Sequence, residues 1–68
     1  MKVEIINRSI YGPDDTLSER ASGTINGHEV QVIHDVDPPS STSLVKVDDS
    51  IAIIRNDDVT THINSRTS

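Results

Sequence analysis

Cysteine, phenylalanine and tryptophan are missing from this chain of 68 residues, and Tyr11 is its one aromatic residue. Without cysteine it can form no disulfide, no thiolate metal site and no cysteine nucleophile. Stacking the bases of a single-stranded nucleic acid takes aromatic platforms, and only Tyr11 is available. No apolar run approaches the ~20 residues that a helix needs to cross a bilayer, so no membrane partner is expected. Residues 1–7 include Lys2 but no apolar stretch of the kind a secretory signal requires. A short, acidic, cysteine-free chain leads to the expectation of a cytoplasmic protein, of bacterial origin or carried by a virus or mobile element.

Leucine and alanine are scarce too, four residues together, whereas isoleucine and valine supply sixteen. β-Branched side chains are stiff at χ1 and pack well on a pleated surface, which points to strands. No window of eleven residues repeats apolar positions with a 3.6 period, so no long helix is expected. The predicted fold class is all-β: a single small domain over residues 1–68, forming an antiparallel barrel or curled sheet of five to six short strands.

The turns divide the chain. Strand character runs from residue 2 to 9, and Gly12 and Pro13 mark a turn over residues 11–15. Residues 14–21 are ambiguous: Thr16 and Glu19 have the spacing of a helix capping box, while Leu17, Glu19, Ala21, Gly23 and Ile25 share one strand parity. Strand is the preferred reading. Asn26-Gly27 then suits the two positive φ values of a type I′ hairpin turn. That bend sets Ile25 opposite His28, Gly23 opposite Val30, Ala21 opposite Val32 and Glu19 opposite His34. Ser22, Thr24, Glu29 and Gln31 fall on the other face, which should be wet. Two prolines and four hydroxyl residues make 37–43 a connecting loop. Residues 44–47 and 51–54 flank Asp48-Asp49-Ser50 as a second hairpin, Asn56-Asp57-Asp58 leads to a last strand over 59–63, and 64–68 reads as a frayed polar tail.

Chemistry is harder to place. The pairs Asp14/Asp15, Asp48/Asp49 and Asp57/Asp58 all sit in predicted turns, where aspartate accepts backbone N–H groups more often than it binds metal. No calcium-loop pattern contains them. His28, His34 and His62 match no zinc spacing. Glu19 and His34, facing each other across two strands, form the one arrangement suited to proton transfer, although an ordinary cross-strand pair has the same signature. No cofactor, metal or catalytic residue is expected, and the chain reads as a non-enzyme.

Charge speaks to partners. Eleven acidic residues against six basic ones give a formal net charge of -5. Scattered cations among so many acids argue against direct nucleic-acid binding. The expected role is that of a small acidic protein-binding module, an inhibitor or accessory factor acting on a macromolecular partner. That partner is another protein, a basic or nucleic-acid-binding one included, met through a DNA-like negative surface. Asp48, Asp49, Asp57, Asp58 and Glu29 are the residues expected to touch it. Two alternatives stand beside this: a structural or assembly subunit self-associating through sheet edges, and a small metal-dependent enzyme using His34 and Glu19. A compact body of this mass keeps roughly 4,200 Å² exposed and has little core to spare, so a homodimer is expected.

Overall fold

A computed structural model describes residues 2–9 and 15–68. Five strands, β1 (Lys2–Ser9), β2 (Asp15–Ile25), β3 (His28–Asp37), β4 (Pro39–Val47) and β5 (Ser50–Arg55), precede a 3₁₀ turn at Asn56–Asp58 and a helix, α1 (Val59–Thr67). The strands form one antiparallel sheet in the order β1-β2-β3-β4-β5. The expected all-β fold is therefore corrected on two counts. The sheet neither closes into a barrel nor curls, because β1 and β5 remain at opposite edges, and the last element is a helix packed on the sheet.

The Asn-Gly bend behaves as its chemistry requires. Asn26 and Gly27 have φ of 49° and 82°, both in the left-handed region of a type I′ turn. The register that follows from it is the one observed: Ile25 opposite His28, Gly23 opposite Val30, Ala21 opposite Val32 and Glu19 opposite His34. Residues 16–21 belong to β2, with an irregularity between Leu17 and Ser18. The turn predicted around residues 11–15 falls almost wholly outside the described residues, and nothing describes the side chains of Asp14 and Asp15.

Residues 37–43 narrow to a turn at Pro38, and Pro39–Val47 is continuous strand. Proline is acceptable at the first residue of a strand, where no ladder hydrogen bond is lost. The serines that argued for a loop are used inside the sheet: Ser43 is buried, and its hydroxyl donates to Asn56 Oδ1 at 2.5 Å.

The strand expected over 59–63 and the frayed tail beyond it are together α1, a correction with a physical cause. Val59, Ile63 and Thr67 recur at i, i+4 and i+8 and so share one helical face. Ile63 and Thr67 are buried and Val59 is half-buried, with α1 lying against β4 and β5. A nine-residue helix rich in threonine would not hold alone in water; packing of its apolar stripe decides the matter. Asn26 Nδ2 also donates to the Thr67 carbonyl at 2.9 Å, satisfying an acceptor that the helix end leaves open.

The core is small and one-sided. Val30, Val45, Val47 and Ile63 are buried, with Ile25, Val32, Ile54 and Val59 packed around them. All the sheet residues of this cluster share one face by register. The dipeptides Val32-Ile33, Leu44-Val45 and Ile53-Ile54 place one apolar side chain on each face. The helix covers only one of those faces.

Candidate functional site

Three places on the described molecule carry candidate chemistry: the corner formed by two hairpin turns, the row that begins with Glu19 and His34, and the uncovered sheet face.

At the corner, Asp48 sits at φ 51° between β4 and β5. Its backbone N–H donates to the Glu29 carbonyl at 2.8 Å, and Glu29 N–H donates to Asp48 Oδ1 at 3.1 Å. The other carboxylate oxygen lies 2.7 Å from His28 Nδ1. An ionised carboxylate can only accept, so Nδ1 carries the proton in this contact. The hydrogen bond from His28, then that from Glu29, holds the Asp48 carboxyl below its ordinary value. This carboxylate ties the β2–β3 turn to the β4–β5 turn and is occupied in doing so. Of the five acids expected to meet a partner, Glu29, Asp48 and Asp49 gather here, while Asp57 and Asp58 stand in the 3₁₀ turn at the far end of β5. The six residues of β5 separate the two groups by roughly 17–20 Å, so the structure does not bring them into one patch.

Glu19, His34 and Ser43 lie directly opposite one another across β2, β3 and β4. Glu19 Oε2 is 3.7 Å from His34 Nε2, beyond hydrogen-bond length, and both side chains are about two-thirds buried. The Ser43 proton goes to Asn56, which in turn donates through Nδ2 to the Ser40 carbonyl at 2.6 Å. Serine, imidazole and carboxylate are thus aligned in space but not linked as nucleophile, base and orienting group. His34 and Ser43 line a shallow groove with Val32, Asn56, Val59 and Thr60. Among the described residues no group of three or more His, Asp or Glu side chains is placed to hold a metal ion. His62 lies on α1, where its carbonyl accepts the Ser65 hydroxyl at 2.8 Å.

The third place was not anticipated. Ile33, Leu44 and Ile53 stand opposite one another on β3, β4 and β5, on the face away from α1, and Ile51 follows on the next row. Ile53 is 67% exposed and Ile51 63%. Glu4 and Arg20 continue the row across β1 and β2, joined at 2.7 Å. Ser18, fully buried, donates to Asp35 Oδ1 at 2.7 Å beside it. Among the residues whose side chains are described, the cations Lys2, Arg20, Lys46 and Arg55 fall on this face by register, with Glu4, Glu29 and Asp35. The face is therefore apolar at its centre and close to neutral around it, on a chain that is otherwise strongly acidic. The sequence signal for it was present in the doubled apolar pairs of β3, β4 and β5.

Comparison with protein families, with curated protein sequences and with solved structures returns no match to this chain. No helix among the described residues is long and apolar enough to cross a membrane.

Proposed function

We propose that this chain is a protein-binding module that acts without chemistry of its own, as an inhibitor or accessory factor, and that it meets its partner through the open face of the sheet. The observation that carries the reading is the row Ile33–Leu44–Ile53 on the face away from α1, where Ile53 and its neighbour Ile51 are exposed and Ile33 and Leu44 are half-buried. A sheet with apolar residues on both faces and a cover on one is an incomplete layer arrangement, and a second surface completes it. The partner is another protein, not a nucleic acid, and the lack of cysteine suits a reducing compartment such as the cytoplasm.

The separation of Asp48 and Asp49 from Asp57 and Asp58 favours the apolar row over a DNA-like charge array as the source of affinity. The acids then steer approach and set orientation. A second reading, an assembly subunit, draws support from the sheet edges: β1 and β5 each have one side without a neighbouring strand among the described residues, and such edges pair readily.

The test is capture of partners on the immobilised chain at low and high salt, with Ile53→Asp and the double variant Asp57→Asn/Asp58→Asn alongside. Capture that survives high salt, is lost with Ile53→Asp and is kept by the double variant supports the open face. Capture that vanishes with salt and with the double variant moves the site to the acidic end.

A further inference from the structure

We infer that the open face is covered in solution by the same face of a second copy, giving two sheets stacked face to face with a helix on each outer side. The inference rests on the proposal that this face is the working surface, and it names what covers the face when that partner is absent. Three observations lead to it.

The first is area. The chain exposes 4778 Å², about 600 Å² more than the ~4,200 Å² expected of a compact body of its mass. Two copies that each covered an area of that size would bury about 1,200 Å² in total, the lower bound of stable, specific interfaces.

The second is charge. At a net charge of -5, two copies repel one another through most of their surfaces. On the open face the cations Lys2, Arg20, Lys46 and Arg55 slightly outnumber Glu4, Glu29 and Asp35. Asp49, Asp57 and Asp58 lie in turns beyond its ends. This is where a copy of an acidic chain can approach with little electrostatic penalty.

The third is relief. A two-fold interface uses one patch twice, so the patch must hold both projections and recesses. Ile51 and Ile53 project from β5, and beside them a hollow is lined by Ile33, Asp35, Thr42, Leu44 and Ile53. Aligned stacking of two such faces sets the sheets ~10 Å apart, a spacing that aliphatic side chains fill without aromatics.

Sedimentation equilibrium on the full chain, from micromolar to millimolar, tests this with Ile53→Lys and Ile5→Lys as variants. Ile5 is 63% exposed on the opposite face and serves as the control. The expected result is a species of twice 7.4 kDa, whose dissociation constant rises more than about tenfold in Ile53→Lys and is unchanged in Ile5→Lys. A single 7.4 kDa species throughout, or a dimer indifferent to Ile53→Lys, overturns the inference. Binding of an apolar fluorescent dye separates the two levels. A monomer that binds the dye, and loses it with Ile53→Lys, rejects the second copy but leaves the face open for a different protein. A monomer that binds no dye rejects both.

Discussion

Asn26 holds the end of the helix: its side-chain amide donates to the Thr67 carbonyl at 2.9 Å across 41 positions of sequence, while its own backbone makes the left-handed turn between β2 and β3. One residue thus fixes the register of the central hairpin and anchors the far end of the element that covers it.

The two roles separate by substitution. Asn26→Gly keeps the positive φ and removes the amide, so it should cost about 0.5–1.5 kcal/mol, the net value of one hydrogen bond. Asn26→Ala keeps a Cβ in the left-handed region but loses the polar side chain that lets asparagine tolerate it, and should cost roughly 1–2 kcal/mol more than Asn26→Gly. Urea midpoints check both values. Equal stability of Asn26→Gly and the parent chain would show that the tether contributes nothing.

Ile63 is the main side chain by which α1 enters the core. Ile63→Ala should destabilise by about 2–5 kcal/mol. For a chain of this size that approaches the whole of its stability. Circular dichroism at 222 nm should fall together with the strand signal, since helix and sheet share one core. Loss of helix alone, with the sheet intact, would contradict that shared core.

Ser43, which is itself buried, and Asn56 form a part-buried hydrogen bond that ties the middle of β4 to the 3₁₀ turn. Asn56→Ala leaves the Ser43 hydroxyl without its acceptor and should cost about 1–3 kcal/mol. Adding Ser43→Ala should recover part of that loss. A double-mutant cycle on thermal melts is expected to give about 0.5–3 kcal/mol of coupling, and a coupling of zero would mean that water serves Ser43 equally well.

Asp48 sets an acid limb on stability. Its carboxyl is lowered in the folded chain from an unfolded value of 3.8, chiefly by His28. A depressed carboxyl stabilises fully above the unfolded value, and the contribution is lost as pH falls through the folded value. Stability should therefore drop below about pH 4 more steeply in the parent chain than in Asp48→Asn. Identical acid limbs would remove the role assigned to the corner.

The hairpin was legible because Asn-Gly has a backbone preference strong enough to set the pairing of Ile25 with His28 and of Glu19 with His34. The helix was not. Over Val59–Thr67 only Val59 and Ile63 are apolar, and the third contact on that face is a threonine. β-Branched residues alternate there as they do in a strand, and only packing against β4 and β5 reverses the preference. The acids were visible as turn formers, yet Asp48 and Asp57 look alike in sequence. Position alone gives Asp48 a histidine and a backbone donor. The open row was missed for a related reason: Ile33, Leu44 and Ile53 each adjoin an apolar residue of opposite parity, and alternation cannot say which face receives a cover.

The most direct test is thiol labelling of single-cysteine variants in dilute solution, possible because the chain has no cysteine of its own. Ile53→Cys should react about as fast as an unfolded chain, and Val45→Cys, beneath α1, should be protected by a large factor. Equal protection at the two positions in a monomer would mean that the chain itself covers both faces of the sheet, and the proposed surface would not exist.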